Sequence, residues 1–179
     1  MRKLVIPALV VLVGAAWVGA DDSHPAPPAI DDPRFDFLKR LVGTWSGPSH
    51  DESMPQETFE FRLTAGGTAI EEREMIGSPM EMLTVYHMDG KDLVGTHYCI
   101  LGNQPRVVAA RRVEDDTLAF ACSGKPGNSG SHDQEHVHGW TMRLDGEGKL
   151  HYAAELVKDG NVTEAPSMVL TRQEQTASR

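Results

Sequence analysis

Tight-turn clusters constrain this chain more than any other feature. Ala65-Gly66-Gly67, Asp89-Gly90-Lys91, Glu114-Asp115-Asp116, Asp145-Gly146-Glu147-Gly148 and Asp159-Gly160-Asn161 are the Gly, Asp and Asn combinations that accept left-handed backbone. Between them the apolar residues recur with period two, as Phe59, Phe61 and Leu63 do against Glu60 and Arg62, which is the signature of half-buried strands. The pattern predicts strands near 44–50, 57–64, 69–76, 82–88, 92–99, 106–113, 117–122, 136–144, 149–157 and 162–172. About ten short strands joined by hairpins form an antiparallel meander, and closure removes its exposed edges. The expected fold is therefore all-β: a single antiparallel up-and-down barrel of about ten strands, wide enough for a cavity as well as side chains.

One helix precedes the meander. Asp32-Pro33 supplies an N-cap and a first-turn proline, and Phe35, Leu38, Leu41 and Val42 follow at helical spacing. Ahead of it, Met1-Arg2-Lys3, the apolar run Leu4 to Val18 and the small pair Gly19-Ala20 read as a secretory signal peptide over 1–20. The run is interrupted by Pro7 and Gly14 and is too short for a span, so no stable membrane insertion is expected after cleavage. Residues 21–32, rich in Pro, Ala and Asp, form a tether, 33–173 the barrel domain and 174–179 a disordered tail. Export places the protein in the bacterial periplasm or outside the cell. Seventeen Lys+Arg against 26 Asp+Glu give a net charge of −9, which excludes a nucleic-acid partner on electrostatic grounds. Two Cys are too few for a disulfide scaffold, and no CxxC pair is present for structural zinc.

Strand parity sorts the candidate site residues. Because Arg143 must face water, His136, His138, Trp140, Met142 and Leu144 are expected together on the inward face. The same rule groups Leu150, Tyr152, Ala154 and Leu156, then Leu118, Phe120 and Cys122, then Leu93, Gly95, His97 and Cys99. The segment Ile70 to Ile76 carries charge on both faces, Glu72 and Glu74 on one and Glu71 and Arg73 on the other. At least one ionisable group there is expected to reach the interior, where it needs a partner or a ligand.

His136 and His138 project to one side at a Cα separation of roughly 6–7 Å, which two ligands of one metal can span. With His97 and Cys99 they make a donor set for zinc, copper or haem iron, although the strands concerned face each other across the lumen. The other reading makes them separate hydrogen-bonding groups. His132 lies in a Gly/Ser-rich loop able to close over either arrangement. Loop 101–106 offers Asn103 and Arg106, the latter as a fork for a carboxylate or phosphate at the barrel mouth or as a surface ion pair. No G-x-S-x-G motif is present, and no catalytic residue is assigned. Cys99 and Cys122 end strands separated by a third, about 9–10 Å apart at two strand spacings, beyond the roughly 4.4–6.8 Å a disulfide spans. Two free, largely buried thiols at one end of the lumen are expected.

Gly43-Thr44-Trp45, following a short helix and opening the first strand, resembles the Gly-x-Trp signature of the lipocalin-like, or calycin, barrels. In those families the Trp packs across one barrel end under an Arg from the last strand; Arg172, beside Leu170 and Met168 by parity, stands at the matching place. The stretch Glu81 to Gly90, continuing through Thr96-His97-Tyr98-Cys99 to Gly102-Asn103-Gln104-Pro105-Arg106, is similar to a group of uncharacterised exported bacterial lipocalin-like proteins. The nitrobindin family, ten-stranded and haem-binding, is distantly similar in architecture, without a haem-ligand motif to place here. These resemblances imply a fold and no reaction.

The resulting expectation is an exported protein holding a small, partly apolar ligand. Phe120, Trp140, Met142 and Tyr152 would line the lumen, His97, Cys99, His136 and His138 would be polar anchors, and Asn103 and Arg106 would stand at the rim. A metal- or haem-binding barrel with hydrolytic or redox activity, using His97, His136, His138 and Cys99 with zinc or haem, is the alternative. A filled envelope barrel without a small ligand is the third.

Overall fold

The computed structural model describes residues 27–49, 54–124, 134–164 and 167–174. The expected signal peptide, half of the expected tether, His132 and nearly all of the expected tail lie outside them. Helix α1 (Pro33–Leu41) leads into β1 (Gly43–Pro48), β2 (Gln56–Thr64), β3 (Ala69–Glu74), β4 (Met82–Asp89), β5 (Asp92–Tyr98), β6 (Arg106–Ala109), β7 (Thr117–Cys122), β8 (His136–Leu144), β9 (Leu150–Lys158), β10 (Asn161–Glu164) and β11 (Met168–Arg172). Each strand from β1 to β9 pairs antiparallel with the next, and β11 joins β9 to β1. Ten strands close into a barrel and β10 lies outside the ring, as the turn pattern predicts apart from that extra strand. The architecture is compatible with the lipocalin-like barrels.

The expected last strand, 162–172, divides in two. After the Asp159-Gly160 turn, β10 pairs with Glu155–Lys158 at the far end of β9, while β11 pairs with Leu150, His151 and Tyr152 at its near end. One nine-residue strand thus serves two partners along one edge. All four residues of β10 are exposed, so no buried face holds it in the ring, and Pro166 interrupts the sequence between the two strands with a residue that offers no ladder donor. β6 is also shorter than expected, since its regular ladder stops at Ala109, ahead of the charged pair Arg111-Arg112.

Helix α1 closes one end of the barrel. Asp32 caps it by accepting from the Arg34 amide at 2.9 Å, and Phe35, Leu38 and Leu41 are fully buried. Arg34 is itself buried, held by Asp32 and donating to the Lys91 carbonyl at 2.7 Å, so it ties the helix to the β4–β5 turn. At this end the Arg172 guanidinium lies 4.2 Å from the Trp45 ring and donates to the carbonyls of Val42 and Arg40, each at 2.5 Å. The Trp45 indole N–H donates to the Leu41 carbonyl at 2.7 Å. Gly43 has φ +129°, and a Cβ there would approach an Arg172 nitrogen to 2.8 Å. The pairing expected of Trp45 and Arg172 is present.

One parity expectation fails. In β8, Val137 is opposite Leu156 and Trp140 is opposite Ala154, so Glu155 alone faces the two residues His138 and Gly139. Because Ala154 and Leu156 share a face, this bulge brings Val137 and Trp140 onto one side and turns His136, opposite Val157, to the other. His136 and Trp140 therefore do not share the inward face. Gly139 permits the bend, since a Cβ there would stand 2.4 Å from the Phe120 carbonyl oxygen.

Cys99 and Cys122 are free thiols, with β6 between their strands as expected. Both are half-buried rather than largely buried. Thiol titration of denatured, unreduced protein is expected to give close to two thiols per chain; none would mean that β6 does not separate them. Arg172→Ala is expected to lower unfolding free energy by about 1–3 kcal/mol through loss of the cation–π contact and of donors to two carbonyls. Chemical denaturation checks this, and an unchanged midpoint would remove the plug from the account of closure.

Candidate functional site

β3 carries the polar interior. Glu72 and Glu74 are buried while Glu71 and Arg73 face out, Glu71 pairing with Arg62 at 2.8 Å and Arg73 with Glu81 and Glu60. The charge on both faces of this segment thus marks two internal carboxyls. The Tyr86 hydroxyl donates to Glu72 Oε2 in a short hydrogen bond. Burial, reinforced by the neighbouring Glu74 charge, pushes the Glu72 carboxyl well above the ordinary range, against the opposing pull of Tyr86 and His97.

His97, on β5, completes the network. Burial opposes its charge, but the Cys99 sulfur and the Glu74 carboxylate outweigh that and push its pKa up to about 10. The imidazolium then donates from Nδ1 to Thr84 Oγ1 at 2.9 Å, and Thr84 donates to Glu74 Oε1 at 3.3 Å. Glu74 Oε1 also lies 3.4 Å from His97 Nδ1. Three buried polar atoms in this region have no hydrogen-bond partner among the described residues: Glu72 Oε1, His97 Nε2 and the indole nitrogen of Trp140.

Above this network, at the end of the barrel opposite α1, lies a cavity of about 290 Å³. Met82, Met168, Val137 and Ile100 give it a largely apolar wall, with Glu74 and Tyr152 among its polar contacts. Methionine thioethers adapt to differently shaped ligands. Glu57 and Glu135 also line it, and among the described residues no Lys, Arg or His does.

The expected site residues are distributed unequally. Tyr152 and Cys99 line the cavity. Phe120 and Trp140 are packed beneath it with Tyr86, at ring-centroid separations of 5.5 Å (Phe120–Trp140) and 5.0 Å (Tyr86–Phe120), and Met142 is fully buried in the core. Packed aromatic rings thus fill the lumen beneath the cavity. Arg106 is exposed and paired with Asp89 at 2.5 Å, the surface ion pair of its two readings. Asn103 is buried and donates to the Glu135 carbonyl at 2.9 Å, tying loop 99–105 to the residue before β8.

The joint set of His97 with His136 and His138, one of the two readings, is not gathered among the described residues. The His97 ring lies 5.8 Å from that of Trp140, whereas His136 and His138 gather with Cys122, their ligand atoms within 4.8 Å of one another. Cys122 lies two residues beyond Phe120, which is opposite Trp140, so the register of the neighbouring strands β7 and β8 sets the thiol beside His138. Thr84 and Tyr86, on β4, have no comparable signal in the sequence, whereas the two-faced charge of β3 already pointed to Glu72 and Glu74.

No protein-family model matches the chain, and no curated protein matches it.

A raised histidine pKa stabilises the fold fully below its unfolded value of about 6.5 and progressively less as pH rises through the folded value of about 10. Wild-type thermal stability should therefore fall between pH 6.5 and 10 more steeply than that of His97→Gln. Scans across this range for both proteins check the difference; parallel curves would show that His97 is not held charged.

Proposed function

We propose that this is an exported binding protein taking a small, partly apolar ligand into the barrel mouth, with a head group that donates N–H or O–H hydrogen bonds. The proposal includes descent from the same stock as the exported lipocalin-like proteins that the Gly43-Thr44-Trp45 and Thr96 to Arg106 segments resemble. The observation that carries the reading is the combination of an apolar cavity with acceptors at its polar contacts. Its walls include methionines and branched aliphatics, and the charged groups among its described lining residues are all carboxylic. A hydrocarbon portion gains about 0.8 kcal/mol per buried CH₂, while a cationic or hydroxylic head would be held by Glu74 and Glu57. Thr84 and His97 fix Glu74 in place, which preorganises the acceptor and reduces the ordering cost of binding.

Straight-chain alkylamines and the corresponding carboxylates of equal length serve as probes. Calorimetric titration is expected to show amine affinity rising roughly fourfold per added CH₂ until the cavity is full, with carboxylates weaker at every length. Ala154→Phe, which places a ring in the cavity wall, should abolish the chain-length dependence while the folded spectrum is retained. Equal affinity for both head groups, or no dependence on chain length, would overturn the reading. A Soret band in the protein as isolated would replace it with haem carriage.

A further inference from the structure

We propose that Cys122, His136 and His138 form a three-ligand site for a borderline or soft transition-metal ion of the zinc or copper class, with one coordination position left open. The site lies at the open end of the barrel, where β7 ends and β8 begins, and is separate from the His97 network.

Geometry carries the argument. His136 Nε2 and His138 Nδ1 stand 3.4 Å apart, long for an N–H···N hydrogen bond. Two nitrogens bound to one tetrahedral ion at 2.0–2.1 Å are separated by about 3.3–3.4 Å, so the observed spacing is the edge of such a tetrahedron. The Cys122 sulfur completes a set whose ligand atoms all fall within 4.8 Å. His136 is fully buried, and its Nδ1 lies 2.6 Å from the Gln134 carbonyl oxygen. That contact requires the proton on Nδ1, the outer-shell arrangement that orients metal-binding imidazoles.

The backbone supports the same reading. The β8 bulge at His138 and Gly139 breaks strict alternation, and bulges re-aim side chains where a site needs them. Without it, Val137 would leave the cavity wall. One thiolate with two imidazoles suits zinc and copper, whereas magnesium and calcium prefer oxygen donors. On binding, the Cys122 thiol loses its proton to solvent, the two imidazoles contribute neutral lone pairs, and water or a small anion completes the shell.

The test uses the full exported chain without a polyhistidine tag, stripped with a chelator and titrated separately with Zn²⁺, Cu⁺ under anaerobic conditions, and Co²⁺ as a spectroscopic substitute. One ion per chain is expected. Binding should protect one of the two thiols from a thiol reagent, and Co²⁺ should give a thiolate charge-transfer band. Cys122→Ser and His138→Gln alter half-buried positions, so their folding can be verified by circular dichroism. Each is expected to weaken binding by at least about 10-fold and Cys122→Ser to remove the band, although Cys99 is still present. The relative Zn²⁺ and Cu⁺ affinities choose between the two ions. Failure of the folded wild-type chain to bind either ion, equal binding by both variants, or binding without thiol protection overturns the proposal.

Discussion

The seam between the first and last strands of the ring is the constraint on which the barrel depends. β1 pairs with β2 at six positions but with β11 at only two, Trp45 with Arg172 and Ser46 with Thr171. Such a short ladder is a weak closure, and the Arg172 side chain reinforces it from above through the Trp45 face and the carbonyls that α1 leaves unpaired at its C-terminal end. Small residues make the approach possible. A Cβ on Gly47 would lie 2.3 Å from the Val169 carbonyl oxygen, so the strands meet there backbone to backbone. Closure at the helix end has a consequence at the other. The connections holding Met80, Ile100 and Glu135 gather at the end without a helix, and that is where the cavity lies.

The interior behind that mouth is not what stability alone would select. Burying ionised groups costs several kcal/mol each, and apolar replacements are often as stable or more so. The network limits this cost by its protonation pattern: an imidazolium at His97 faces Glu74, while the Glu72 carboxyl is shifted strongly toward its neutral form. Its formal charges then nearly cancel. What remains costly are the buried polar atoms on Glu72, His97 and Trp140 that have no partner among the described residues.

Most of the architecture was legible because period-two runs and glycine-rich turns report directly on backbone geometry. The helix boundary was legible for the same reason, since Asp32 and Pro33 act through local hydrogen bonding. Trp45 and Arg172, far apart in the chain, were joined by a family resemblance rather than by local physics. The errors fall where a tertiary partner overrides local pattern. Nothing in the residues 162–172 says that β9 has room for two partners on one edge, and nothing in His136-Val137-His138-Gly139-Trp140 says which residue is the extra one. Gly139 was the available signal, because glycine inside a strand pattern often marks a bulge. Reading it so would have turned His136 away from Trp140. The polar interior was half legible: charge on both faces of β3 required burial of some of it, but identifying Thr84 and His97 as its partners requires strand register.

The bulge also determines how the two candidate sites relate. On either side of His136, Glu135 and Val137 line the cavity, while His136 itself belongs to the thiol–imidazole cluster. Asn103 holds the Glu135 carbonyl and so connects the same strand end to loop 99–105, which supplies Ile100 and Leu101 to the cavity. A single short stretch of backbone thus contributes side chains to both places and is anchored from the loop side. An ion drawing His136 and His138 together would fix that stretch, and with it one wall of the mouth; a ligand that ordered the wall would by the same linkage favour the ion. Had β8 kept strict alternation, both histidines would stand in the lumen and the two sites would compete for one space instead of sharing one strand.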